Sequence, residues 1–570
     1  MITAWQNPLP TKVAMTASTP QSLTAHLILD QLNTEGCRYL FGSNTSSDSP
    51  IAAALLRSKY HSSERIKFIG ALHEAIAVFM AAGYSQATSL PSVVNLVSGQ
   101  GLLNAIPAIY SAYRSQTPVI ILADQEDSYL LNEDPPLAVE HHKMASSVCK
   151  FMAEARTARE VCRLIRRAFH EALTPPKGPV VLSIPINLSL STARAQVMTP
   201  PVSSPQGAAD ENSVAKIVQK LTESHSPCII SGNEVSQYRA RKEVVLISDV
   251  LGCPVFSEPL PTGVNFPNRH PHFHGVLPLN SKEASNLLSK HDLFLLLGVQ
   301  NRLPSRTDGP SLLPDNGIAI QINMDGKLAG KTLRSNLAIQ ADIAETLSRL
   351  RAELQLQVDK SWLKAANVRA RNTISEIAEK RQKFETALNF PDPNSQTPLF
   401  WLLRILDGTR PQKSVIVSDI NEASCQPFEV LSLESGSSFF SSTSGVSGYA
   451  SGATMGIQWA GKDIPVICIT GDESFLGYPQ ALWTAGHYQL NSKFIIAKTQ
   501  GVHSLKIAPS APTKKALRWQ FSDPRIDLKQ LAEGFGIQGE SVRTFGDLEP
   551  AISRLFETKG PRLLEVDVVV

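Results

Sequence analysis

The sequence predicts an α/β protein made of three doubly wound parallel-sheet units in one chain. Two observations carry that expectation. Short apolar runs of strand length alternate with longer helical stretches along almost the whole chain. Runs that are apolar throughout, instead of alternating with polar residues, are strands buried on both faces, as in a parallel sheet covered by helices. The alternation is also broken twice, by the Ser/Pro/Thr-rich stretch MTPPVSSPQG from Met198 and by a charged helical stretch from Ile343. No short-period repeat is visible, which argues against a solenoid.

The first unit is expected over 21–195, behind a disordered tail at 1–20 that carries at most a weak organelle address. Its strands read as CRYLFGS, RIKFIGAL, SVVNLVSG, PVIILAD and PVVLSIP, with helices over Glu74–Ser85 and Glu160–Ala172. The second unit, 209–342, contains SPCIISGN, CPVFSEP, DLFLLLGV and GIAIQINM. A helical connector over 343–389 leads to the third unit, 390–570, with SVIVSD, IPVICITGD, KFIIAKT and RLLEVDVV.

Composition narrows the function classes. Of 570 residues, 42% are hydrophobic and 18% charged, an ordinary globular balance. A formal net charge of +3 over that length, with no Lys/Arg block, argues against a nucleic-acid partner. No apolar run is long enough to span a membrane. The 7 cysteines are scattered singly without a CxxC, so neither a disulfide framework nor a zinc knuckle is expected. They suit a reducing, cytoplasmic compartment.

Ligands of open α/β sheets sit beyond the carboxyl ends of the strands, so the residues just after each strand matter most. In FIGALHEAIAVFMAAGYSQA, Glu74 follows a strand and opens a helix. On its own it is a first-turn acid favoured by the helix dipole. The next turn carries Gly99 and Gly101 before a helix with Asn104, but lacks the third glycine of a dinucleotide fingerprint. In PVICITGDESFLGYPQALWTAGHYQLNSKFIIAKTQG, Gly471 and Asp472 end one strand, and Lys498 and Thr499 end the next. An acidic oxygen beside helix-end N–H groups suits a phosphate with a divalent cation; a plain N-cap is the simpler alternative. The small residues of SSTSGVSGYASGATMGIQWAG allow close backbone approach to a ligand, another subunit or a packed helix. His270, His272 and His274 fall in a Pro-broken stretch that reads as a loop without a metal.

Taken in this order and spacing, these segments resemble the thiamine-diphosphate-dependent decarboxylase and acetolactate synthase superfamily, from about residue 20 to the C-terminus. The benzoylformate decarboxylase branch is most similar, also through RHPHFHGVLP and HDLFLLLG. The resemblance implies pyrimidine-binding, central and diphosphate-binding domains. It implies thiamine diphosphate and Mg2+ held between two chains of a homodimer or homotetramer. The activity implied is decarboxylation of a 2-oxo acid, or acyloin-type joining or cleavage of a 2-hydroxy ketone. By position, Glu74 would meet the aminopyrimidine ring and Ser46 the substrate carboxylate. Gly445, Ser447, Gly471, Asp472, Glu473, Ser474 and Lys498 would line the cofactor. Asp472, Thr499 and the carbonyl of Gly501 would hold the metal.

Several positions depart from the family pattern. Glu473 replaces a small residue, and Lys498-Thr499 replaces Asn-Asn. Glu473 and Lys498 depart together, so they are expected to pair, or Lys498 to stand in for part of the cation. Val97 and Ser305 replace the two active-site histidines, with His73, His141, His142 and His503 as possible substitutes. Ser447 replaces the bulky residue under the cofactor's bend. The alternative is a repurposed member of the fold acting as a subunit or binding protein. Nothing in the sequence specifies a flavin in the central domain.

Overall fold

The computed structural model describes residues 22–43, 49–56, 66–201, 207–300, 311–331, 333–420, 423, 425–461, 463–499 and 524–569. The tail expected over 1–20 lies outside them, as do Ser46, Ser305, Gly501 and His503.

The first sheet has 6 strands: β1 (Tyr39–Ser43), β2 (Lys67–Ala71), β3 (Ser92–Leu96), β4 (Val119–Gln125), β5 (Phe151–Glu154) and β6 (Val180–Pro185). They lie in the order β2-β1-β3-β4-β6-β5, and every pairing is parallel. The central sheet has β7 (Pro227–Ser231), β8 (Val255–Ser257), β9 (Phe273–Val276), β10 (Leu293–Leu297), β11 (Ile318–Asn323) and β12 (Leu337–Gln340). Its order is β9-β8-β7-β10-β11-β12, again all parallel.

The third sheet has 7 strands: β13 (Thr397–Pro398), β14 (Val415–Ser418), β15 (Phe439–Ser441), β16 (Val466–Gly471), β17 (Ser492–Lys498), β18 (Gln538–Val542) and β19 (Arg562–Val569). Apart from the short β13 against β19, its path β15-β14-β16-β17-β19-β18 repeats the order of the first sheet. The fully apolar runs are the central strands of each sheet, and Leu293–Leu297 is buried at every position. The strands missing from the sequence reading, such as β5, β9, β12 and β18, are short or lie at sheet margins. There the apolar run is broken by polar residues.

His274 therefore belongs to a sheet edge and not to a loop, because β9 pairs with β8 through the segment that carries it. The charged stretch after Ile343 forms two helices, Ile343–Gln357 and Lys360–Ala387. Asp359 caps the second by accepting the Trp362 N–H at 2.7 Å.

The packing that joins the outer units involves α1 (Glu74–Thr88) and α2 (Tyr449–Ala460). Helix α1 is buried continuously from Glu74 to Ser85, so it has no solvent face for most of its length. A Cβ on Gly456 would be driven into the Met80 carbonyl, one on Gly83 into the Ala453 backbone, and one on Gly452 into the Phe79 side chain. The small residues of α2 thus serve close approach to a helix of the same chain. The Tyr449 hydroxyl donates to Gln86, and Ser111 and Ser442 share a hydroxyl bond at 2.8 Å. On the edge strand β2, the Gly70 N–H donates to the Tyr488 hydroxyl at 2.8 Å.

Gly456→Ala should therefore destabilise the protein by roughly 3 kcal/mol, through overpacking against backbone. Gly408→Ala should stabilise it by about 0.5 kcal/mol, since Gly408 is helical with open space around it. Thermal unfolding of the two variants beside wild type checks both signs.

Candidate active site

In each sheet, successive strands run outward to one side and then return to the other side of the starting strand. This leaves a switch point between β1 and β3, between β7 and β10, and between β14 and β16. Such points are where doubly wound sheets present ligands. The three are filled differently.

At the first, Glu74 opens α1 and is 6% exposed. Its carboxylate accepts from the Ser43 hydroxyl at 2.9 Å, at the end of β1, and from the Asn104 amide at 3.0 Å. His73 caps the helix, its Nδ1 accepting the Ala75 N–H at 3.1 Å. In the neutral ring the proton then sits on Nε2. The His73 ring lies edge-on to Tyr478 at 5.2 Å, a contact to the third unit. Val97 precedes the helix that begins at Ser98. Ser98 stands at φ 55, a region that costs a non-glycine residue energy, and its buried hydroxyl has no partner among the described residues. Sequence reading passed over Ser98, since backbone strain leaves no compositional trace.

The other candidate histidines lie apart from Glu74's contacts. His141 is buried against the Ser183 hydroxyl at 3.0 Å, and burial pushes its pKa down to about 4. His142 is exposed.

At the third switch point, Asp472 opens α3 (Asp472–Gly477), directly after β16. It is 6% exposed; burial raises its pKa, opposed by backbone N–H groups including that of Thr499 and by the charge of Lys498. Asp472 and Thr499 thus meet at the ends of adjacent strands. Ser474 donates to Asp419 at 2.6 Å and accepts the Gly448 N–H at 2.8 Å, tying α3 to the turn that carries Gly445 and Ser447. Both of those turn residues are exposed, and a Cβ on Gly445 or Gly471 would meet nothing within 4 Å. Asp419 is the acid that sequence reading missed. It follows β14, burial raises its pKa, and its Oδ1 has no partner among the described residues.

The expected pairing of Glu473 with Lys498 is corrected. Lys498 donates to Glu565 at 3.1 Å and to the Ile526 carbonyl at 2.6 Å, whereas Glu473 is exposed. Lys498 ends β17 and reaches across to β19, where Arg543 also meets Glu565 at 3.3 Å. A partner on another strand, remote in sequence, satisfies the buried cation, so Lys498 is committed to Glu565 and not to Glu473. The donor set fits a diphosphate with a divalent cation: a buried carboxylate, a neighbouring threonine and open backbone at two glycines.

At the central switch point the chain fills its own crevice. Glu234 accepts the Met324 N–H at 2.8 Å and the Asp325 N–H at 3.2 Å. Glu258 accepts the Asn233 and Gln300 N–H groups at 2.5 and 3.0 Å. Beside β9, Asp249 joins His270 and His272, with ligand atoms within 4.8 Å of one another. His270 Nδ1 accepts the His272 N–H at 3.2 Å, so Nε2 carries its proton and faces Asp249 at 3.5 Å.

A further buried acid, Asp124, lies one residue before Gln125 closes β4 and is held by Ser49 and Asn95; burial pushes its pKa up to about 7. An acid raised above its unfolded pKa favours folding fully at low pH, and that contribution is lost as pH rises through the folded value. Asp124→Asn should therefore gain Tm relative to wild type between about pH 4 and pH 7 and hold that gain above it. Thermal melts across the range check the sign.

Comparison with known proteins agrees with this geometry. Three thiamine pyrophosphate enzyme models match the chain: the N-terminal TPP-binding domain at 23–149, the central domain at 214–350 and the C-terminal TPP-binding domain at 424–566. The benzoylformate decarboxylase of Pseudomonas aeruginosa is 26% identical over 544 residues, covering 94% of this chain and 97% of that protein. The acetolactate synthase isozyme 1 large subunit of Escherichia coli is 24% identical over 562 residues, covering 97% and 95%. The structure of a thiamine-diphosphate-dependent 4-hydroxybenzoylformate decarboxylase from Rhodococcus jostii superposes with a TM-score of 0.81 at 25% identity, covering 96% of this chain and 99% of that one. With both TPP-binding domains matched and acidic groups at both outer switch points, the chain belongs to the thiamine-diphosphate-dependent enzymes of the decarboxylase and acetolactate synthase superfamily.

Proposed function

We propose that this chain is a thiamine-diphosphate-dependent carbon–carbon lyase that decarboxylates a 2-oxo acid or joins or cleaves a 2-hydroxy ketone. The observation that carries the reading is the buried carboxylate of Glu74, fixed by Ser43 and Asn104 at a switch point. Bound thiamine diphosphate supplies an acidic ring carbon and an electron sink for the bond that breaks. Glu74 is the group that accepts and returns a proton at the aminopyrimidine. The Ser43 and Asn104 bonds each hold one of its oxygens, so the carboxylate is aimed without a conformational search.

At the other end, Asp472, the Thr499 hydroxyl and the Gly501 carbonyl are assigned to Mg2+. Gly445, Ser447, Gly471 and Ser474 are assigned to the diphosphate and the ring that joins it. Glu473 and Lys498 border the same ligand. Lys498 acts by field, favouring ionised Asp472, and not by contact with phosphate. Ser46 is assigned to the substrate carboxylate. With Val97 in place of a histidine, His73 is the imidazole beside Glu74 and the natural proton donor through Nε2. The pyrimidine-binding, central and diphosphate-binding domains take the spans 21–195, 209–342 and 390–570. Two copies, as a homodimer or within a homotetramer, complete the site in the cytoplasm.

Glu74→Gln should retain the shape and both neighbours but lose the proton acceptor. Carbon dioxide release from the preferred 2-oxo acid should fall by roughly 10²–10⁴-fold. Thiamine diphosphate binding, followed by near-ultraviolet circular dichroism, should change little. Turnover equal to wild type would remove Glu74 from the chemistry.

A further inference from the structure

A cavity of about 330 Å3 lies where all three units meet. Its walls include Ser85 and Gln86 at the far end of α1 from Glu74, Ser115 and Thr117 before β4, Gln237 after β7, and Ser437 before β15. Ser85 lies eleven residue steps along α1 from Glu74, which puts roughly 16 Å of helix axis between the cavity and the catalytic carboxylate.

The cavity's charge is one-sided. Lys177, Arg239, Arg241 and Lys242 line it, and no Asp or Glu does. None of the four forms an ion pair among the described residues. The cations are held by other means. The Lys177 ammonium lies 4.8 Å from the centre of the Tyr238 ring. Arg241 donates to the Val264 carbonyl at 3.4 Å, and a Cβ on Gly436 would strike its guanidinium. Arg239 sits at φ 60, an unfavourable backbone conformation for arginine. Burial, with Arg239 alongside, pushes the Lys177 pKa down to about 8, and burial also lowers that of Arg241. Partly buried like charges without a counter-charge oppose one another, and an anion between them would relieve both desolvation and repulsion.

We propose that this cavity is a binding site for a small organic dianion carrying phosphate or carboxylate oxygens. Lys177 and Arg241 engage it from inside, Arg239 and Lys242 close over it at the mouth, and the surrounding Ser, Thr and Gln side chains complete the hydrogen bonds. Because the walls come from all three units, the bound dianion braces them against one another. The volume falls within the roughly 300–1,000 Å3 usual for small-molecule sites.

The test is isothermal titration of the full chain with inorganic phosphate, glycerol 3-phosphate and succinate, in excess thiamine diphosphate and Mg2+ so that the diphosphate site is filled. One site per chain is expected, with a higher Tm for the complex. A preference for the phosphate probes or for succinate identifies which oxyanion the site takes. Lys177→Gln and Arg241→Gln should weaken binding about tenfold or more, the cost of one charge-assisted hydrogen bond. Arg239→Gln, at the exposed mouth, provides a variant whose folding is not at risk and should also weaken it. Absence of heat and of thermal stabilisation with all three probes at millimolar concentration would overturn the proposal, as would equal affinity in all three variants. Thiamine diphosphate binding in the same samples is read separately, so failure here is distinguishable from failure of the active-site reading.

Discussion

The contact on which the rest of this structure depends is the approach of α1 to α2. At Gly83, Gly452 and Gly456 the two helices meet with no space for a side chain. That contact joins the first and third units within one chain. Glu74 opens α1, and the turn with Gly445, Ser447 and Gly448 leads into α2. The positions of Glu74 and of that turn are therefore set by one helix pair. Tyr478 reinforces it, packed against Gly448 on one side and His73 on the other.

A second regularity is electrostatic. Each switch point gathers buried acids, but their partners differ. Glu234 and Glu258 are occupied by backbone N–H groups just past the strands of their own unit, with the Asn323 amide also on Glu234, which makes them part of the central unit's architecture. Glu74 is held by the side chains of Ser43 and Asn104, and Asp472 lies beside Thr499 and open glycines. One topology thus gives a sealed crevice in the middle and chemically equipped ones on either side.

Much of this was legible in the sequence because it rests on local pattern. Strands buried on both faces announce themselves as apolar runs, and Glu74 and Asp472 each follow such a run directly. What was not legible depends on partners far along the chain. Lys498 and Glu565 meet only because β17 and β19 are neighbours, so the expected link to Glu473, close in the fold's family pattern, could not be distinguished from the actual one. Asp249 reaches His270 and His272 only after β9 pairs at the sheet edge. Asp419 and Asp124 look like ordinary strand-end acids until their burial is known. The four cations at the three-unit junction are dispersed over Lys177 to Lys242 and separated from the serines that face them.

Lys498 is committed to Glu565, so under the proposed function the diphosphate charge falls to the metal assigned to Asp472. Titration of thiamine diphosphate with and without Mg2+, in wild type and Lys498→Ala, tests this most directly. The expected result is a strong Mg2+ requirement in both proteins, with chelation weakening the cofactor by more than tenfold. Binding in wild type that is equally tight without a divalent ion, and that is lost in Lys498→Ala, would contradict it and return the cation's role to Lys498.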